Sequence, residues 1–175
     1  YKNFRLLACD GSDLCIAHNP NDETTYFQSL PGTKGFNQLH LNALYDLCAR
    51  TYVNAIIQPA RLENENRAMC ELIDSYKGIK NTIFIADRGF ENYNIFAHIE
   101  QTGAFYLIRA KDLLSNGIVA SMKKQLPKDK KIFDAEVSIT LTRKQTNEVK
   151  ANPDKYRIIM KATAFDYLDL YCNQF

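Results

Sequence analysis

Alternation of apolar and polar residues organises this chain before any single residue does. Leu39, Leu41, Ala43, Tyr45 and Leu47 fall on one face of a period-two stretch. Gln38, His40, Asn42 and Asp46 fall on the other, broken only by Leu44. Period two over residues 38–47 predicts a strand whose polar face turns to solvent. A turn at Ala49-Arg50 leads into residues 52–58, rich in β formers, so the two segments predict a hairpin closed by Pro59. Upstream, residues 4–9 form a first apolar strand, and residues 18–35 a polar loop marked by Asn-Pro, Pro-Gly and Lys-Gly. Downstream, Ala68, Met69, Leu72, Ile73 and Tyr76 repeat at helical spacing over residues 63–77, with acids at the start and Gly78 as the stop. A strand over 82–87, a helix over 91–102 ending at Gly103, and a strand over 105–109 follow.

The resulting order, β-β-β-α-β-α-β, predicts an α/β fold. Three antiparallel strands, a crossover helix and two further strands make a mixed sheet with helices on its faces. After Lys111 the texture changes. Residues 115–131 are polar and carry Lys123, Lys124, Lys128, Lys130 and Lys131. Residues 133–142, 156–163 and 167–171 then read as strands of an antiparallel β-rich unit. The expected division is a core over 1–111 and a β-rich insertion over 112–175 at the C-terminal end.

Composition narrows the function classes. With 46% hydrophobic and 11% aromatic residues in 175, the chain can bury a full core. No apolar run approaches the roughly 18 residues of a membrane helix, and no signal-peptide pattern opens the chain. Five scattered cysteines without CxxC pairing read as free thiols in a reducing cytoplasm. His18, His40 and His98 have no ligand spacing with any cysteine, which argues against zinc. The net charge of +2 hides an asymmetry: residues 1–108 carry −3 and residues 109–161 carry +7. A basic segment beside an acidic core points to a polyanionic partner.

The candidate chemistry lies in two apolar strands that reach an aspartate: Phe4-Arg5-Leu6-Leu7-Ala8-Cys9-Asp10-Gly11-Ser12 and Thr82-Ile83-Phe84-Ile85-Ala86-Asp87-Arg88-Gly89-Phe90. One such aspartate is ordinarily a turn former. A pair is different, because a carboxylate at the end of a buried strand needs a holder for its charge, and a divalent cation is the usual one. The predicted topology sets the first and fourth strands side by side, so Asp10 and Asp87 come within reach of one ion. Oxygen ligands suit Mg²⁺. Two such ions about 4 Å apart can drive an in-line displacement at phosphate. Asp46 is a weaker third acid, since polar residues on an exposed strand face are ordinary.

Four segments resemble bacterial insertion-sequence transposases of the DDE type, in the branch with a β-strand insertion inside a ribonuclease H-like catalytic domain. They are Ala8-Cys9-Asp10-Gly11-Ser12, the stretch from Lys34-Gly35-Phe36 to Tyr45-Asp46-Leu47, Ile85-Ala86-Asp87-Arg88-Gly89-Phe90-Glu91, and Phe105-Tyr106-Leu107-Ile108-Arg109-Ala110-Lys111. The resemblance implies that Asp10 and Asp87 are the first two acids of a triad holding Mg²⁺ or Mn²⁺, two ions in the complete site. It further implies cleavage and transfer of double-stranded DNA, at transposon ends and target, by a homodimer or higher assembly formed on DNA. The expected setting is cytoplasmic, with no membrane. Arg88, Arg109, Lys111, Lys123 and Lys124 are the expected contacts to DNA phosphates.

The family's third acid is a Glu within Tyr-x-x-Arg-x-x-x-Glu-x-x-x-x-x-x-Lys, a spacing that does not occur here. Only Glu136, in a predicted strand, and Glu148, in a predicted loop, follow Lys111. The expectation is therefore a fragment that stops before the third acid and is inactive alone. Two other readings compete: an ATPase or sugar-kinase-like phosphotransferase of the same fold, with Asp10-Gly11-Ser12 as a phosphate loop, and a non-catalytic DNA-binding module.

Overall fold

The computed structural model describes residues 2–78, 80–129, 132 and 134–159. Its largest element is a six-stranded mixed sheet built from β1 (Arg5–Ile16), β2 (Tyr26–Phe27), β3 (Phe36–Asp46), β4 (Thr51–Pro59), β5 (Thr82–Ala86) and β6 (Phe105–Ile108). The strand order is β2-β3-β1-β5-β6, with β4 also paired to β3. β1, β3 and β4 pair antiparallel, whereas β5 joins β1, and β6 joins β5, in parallel. The chain is mixed α/β and strand-rich. Among the described residues no helix is long and apolar enough to cross a membrane.

The first strand departs from its expected end. β1 continues six residues past Asp10, because β3 offers it a long antiparallel partner from Leu7↔Asp46 to Ile16↔Asn37. Backbone pairing, rather than side-chain hydrophobicity, carries this polar half of the strand. The expected polar loop contains β2 and is fastened from within. The Asn37 side chain, buried at the start of β3, donates to the Asn19 carbonyl and to Thr25 Oγ1, both at 2.8 Å.

Helix α1 (Glu65–Ser75) starts at Asn64, whose side chain accepts the Arg67 N–H at 3.0 Å. Its apolar stripe buries Ala68, Met69, Leu72 and Ile73, and the helix packs on β3 and β4. Helix α2 (Tyr93–Thr102) stops at Gly103, whose φ of 75° is the left-handed conformation that ends helices. Buried His98 of α2 meets Asp74 of α1 at 2.9 Å.

β3 reverses the expected orientation of its faces. His40, Asn42, Leu44 and Asp46 are 6%, 0%, 1% and 2% exposed, so the polar face is the buried one. The apolar face is only partly covered, with Leu41 and Tyr45 half-buried and Leu47 exposed. Burial of the polar set is sustained by hydrogen bonds. Asp46 accepts the backbone N–H of Cys48 at 2.8 Å and of Ala49 at 2.9 Å, together with Arg5 Nε–H. Asn42 donates to Gln58 Oε1 at 3.2 Å.

The chain divides into two compact units. Tyr1–Phe90 with His98–Ile108 form the first, and Glu91–Ala97 with the residues from Arg109 onward form the second. In the second unit, residues 119–125 wind into a 3₁₀ helix. Thr140–Thr142 (β7) pairs with Tyr156–Ile158 (β8), and Asn147–Ala151 forms a short helix, α3. Three expectations are corrected here. β7 and β8 are parallel rather than antiparallel. Residues 134–139 are not a strand, so Glu136 is not in one. Glu148 lies in α3 rather than in a loop, because Thr146 caps that helix by accepting the Val149 N–H. The expected strand over 167–171, and the end of that over 156–163, lie outside the described residues.

Candidate active site

The parallel β1–β5 pair puts the two candidate acids on neighbouring segments of the chain. Its register runs from Arg5↔Thr82 to Ala8↔Ile85. Asp10 and Asp87 each lie two residues beyond the last pair, Asp10 inside β1 and Asp87 just past the end of β5. Asp10 Oδ1 accepts the Gly11 N–H at 2.9 Å, and Asp87 Oδ1 accepts the Gly89 N–H at 2.7 Å. Both side chains are exposed. Gly89 keeps the second carboxylate where it is, since a Cβ there would stand 2.9 Å from Asp87 Oδ1.

Asp10 lines an open groove of about 250 Å³ with Ala8, Ser12, Leu41, Ala43, Tyr45 and Tyr52. Tyr45 and Tyr52 meet edge to face at one wall, their centroids 5.1 Å apart. Asp10, Gly11 and Ser12 lie within β1 and pair with Ala43, Asn42 and Leu41. Asp10-Gly11-Ser12 is therefore strand here, not the loop that the ATPase-like reading expects. Cys9, buried beneath this face, has its thiol pushed up to about 12 by burial and then by the charges of Asp10 and Glu65, so it is no thiolate nucleophile.

The expected cations divide between the units. Arg88 is exposed, in the 3₁₀ turn directly after Asp87 in the first unit. Arg109, Lys111, Lys123 and Lys124 belong to the second. Lys123 and Lys124 share the 3₁₀ helix and are exposed, with Lys124 Nζ 3.8 Å from Asp154 Oδ1. Arg109 is exposed and Lys111 half-buried. Glu91 accepts the backbone N–H of Lys111 at 2.8 Å and of Ile118 at 2.6 Å, which fixes the start of this segment.

Asp46 is not a third metal-binding acid. The backbone N–H of Ala49, then Arg5 and the N–H of Cys48, hold its carboxyl below the usual carboxylate range against the opposing effect of burial. It fastens the β3–β4 turn. On the same buried face stands a group that the spacing argument passed over. The imidazole of His40 is surrounded by Asp13, Glu63 and Glu65. Burial alone would lower its pKa, but the Asp13 hydrogen bond and the charges of Glu63 and Glu65 raise it instead. The available signal was parity: Asp13, three residues beyond Asp10, must face the opposite side of β1.

The family model described as the transposase DDE domain matches residues 3–165 of the chain. No curated protein gives a significant match.

Proposed function

Because the chain belongs to the transposase DDE-domain family, we propose that it takes part in metal-dependent cleavage and transfer of DNA strands, through a ribonuclease H-like core. The observation that supports this most is the parallel β1–β5 pairing, which ends two residues before Asp10 on one segment and two before Asp87 on the other. Two exposed carboxylates on neighbouring segments suit Mg²⁺ or Mn²⁺, which take oxygen ligands and keep coordination positions for water and phosphate. Asp10 and Asp87 would hold the ions. When bound, the ions activate a water or 3′-hydroxyl and stabilise the leaving oxygen.

The chain's own residues bind and orient. The N–H groups of Gly11 and Gly89 each fix one oxygen of a carboxylate, so the acids are set before metal arrives. Arg88 contacts a phosphate beside Asp87. Arg109, Lys111, Lys123 and Lys124 neutralise the backbone of double-stranded DNA, on which copies of the chain assemble. The family's third acid in its signature spacing does not occur in residues 1–175. These residues therefore bind metal weakly and do not join DNA ends efficiently by themselves.

Mn²⁺ titration followed by water-proton relaxation tests the site, counting only the signal that excess Mg²⁺ displaces. The Asp10→Asn and Asp87→Asn variants should each weaken that signal at least tenfold. Unchanged binding in both, or robust strand transfer by residues 1–175, would overturn the reading.

A further inference from the structure

On the α1 side of the sheet, His40 of β3 stands opposite Asp13 of β1 in the strand register. Its Nδ1 lies 2.8 Å from Asp13 Oδ1 and 3.1 Å from Glu63 Oε2, and its Nε2 lies 3.1 Å from Glu65 Oε1. We propose that Asp13, His40 and Glu63 form a second divalent-metal site, suited to a transition ion such as Zn²⁺ rather than to Mg²⁺. It lies on the face of the sheet opposite to Asp10, and it is independent of the strand-transfer reading.

Three observations carry this. The first is geometric. One donor atom from each of Asp13, His40 and Glu63 lies within 4.8 Å of the others. A tetrahedron with metal–ligand bonds of about 2.0–2.1 Å has edges of roughly 3.3 Å, so the separations from Nδ1 to both carboxylates need little adjustment.

The second is the fixing of the ring. His40 is buried, and its Nε2 lies within hydrogen-bond distance of Glu65 Oε1. An ion on Nδ1 would take the place of a proton there and leave the Nε2–H to Glu65, the arrangement by which a carboxylate behind a histidine orients a metal ligand. The ring and Glu65 fit only because residue 11 is glycine. A Cβ there would stand 2.6 Å from His40 Nε2, and it would also overlap Glu65 Oε1.

The third is charge. Three carboxylates surround one imidazole, an excess of negative charge even when the ring is protonated. An ion of charge +2 in place of the proton offsets more of it. Asp13 and Glu63 have side chains 52% and 44% exposed, which leaves an entry path and room for a water as further ligand. An imidazole donor favours zinc, cobalt or nickel over magnesium. The ion would tie β1, β3 and the segment just before α1 together, on the face of β1 opposite to Asp10.

Zn²⁺ and Co²⁺ titrations of the whole chain, by calorimetry and by Co²⁺ absorbance, test the site. We expect one saturable Zn²⁺ site per chain, weakened at least tenfold by Asp13→Asn and by Glu63→Gln and lost in His40→Gln. Excess Mg²⁺, Asp10→Asn and Asp87→Asn should leave it unchanged. The half-exposed positions 13 and 63 decide the matter even where a change at buried His40 disturbs folding. Absence of a saturable Zn²⁺ site, or affinity unaltered in both carboxylate variants, overturns the proposal. Loss of the Mg²⁺-displaceable site in the Asp10 and Asp87 variants is a separate result, so the two readings fail separately.

Discussion

The two faces of the β1–β3 pair differ in a way that inverts the usual rule. The face beneath α1 carries a histidine, an asparagine and an aspartate around Leu44, and these β3 side chains are buried. The opposite face carries Leu41, Ala43 and Tyr45, and there the open groove with Asp10 lies. Hydrophobic content therefore does not decide which face is core. A helix with a strongly apolar stripe can cover a polar face when most of its polar groups find partners, and here backbone N–H groups, Arg5, Gln58 and the acids around His40 supply them, while Asn42 Oδ1 is left without one. The less covered apolar face remains open for chemistry.

The largest test of this contrast is a pair of truncations. Leu44→Ala, on the buried face, should cost about 3 kcal/mol in denaturant unfolding, as expected for a buried leucine in a well-packed site. Leu41→Ala, on the half-buried face, should cost about 1 kcal/mol or less by the same measurement. Equal losses would mean that the faces are not distinguished as described.

A smaller effect probes how the polar face tolerates burial. Asp46→Asn should cost about 2 kcal/mol at neutral pH, since it weakens charge-assisted bonds to Arg5 and to two backbone N–H groups. The sign with pH follows from a folded-state pKa held below the unfolded value of about 3.9. The contribution is complete above that value and is lost as pH falls through the folded one. Wild type should therefore lose its advantage over Asp46→Asn in unfolding curves taken from pH 7 down to pH 2. A gap that persists in strong acid would assign the role to shape rather than charge.

The smallest effects separate the faces at single glycines. Gly11→Ala forces a Cβ against His40 and Glu65 and should cost about 1–2 kcal/mol in thermal unfolding. Gly89→Ala meets only the Asp87 carboxylate and should cost under about 1 kcal/mol, yet weaken Mg²⁺-displaceable Mn²⁺ binding severalfold. If Gly89→Ala leaves metal binding untouched, the Asp87 carboxylate is not held for an ion.

Much of this was legible in the chain itself. Helical spacing over Ala68, Met69, Leu72 and Ile73 marked α1, and the period-two stretch marked β3. The strands reaching Asp10 and Asp87, with the Asp-Arg-Gly-Phe and Ile-Arg-x-Lys segments, pointed to the family that the model match then showed. These signals are local, and local periodicity survives in sequence. The parity of β3 also established that its two faces are unlike, but which face lies inward depended on where α1 landed, a contact between residues far apart in the chain. The length of β1 depended on a partner strand, because shared backbone hydrogen bonds hold Gly11-Ser12-Asp13 extended where side chains alone predict a turn. The histidine site needs Asp13 of β1, His40 of β3 and Glu63 of the segment before α1. No spacing rule along one segment encodes such a meeting; the packing of β1, β3 and the approach to α1 alone produces it.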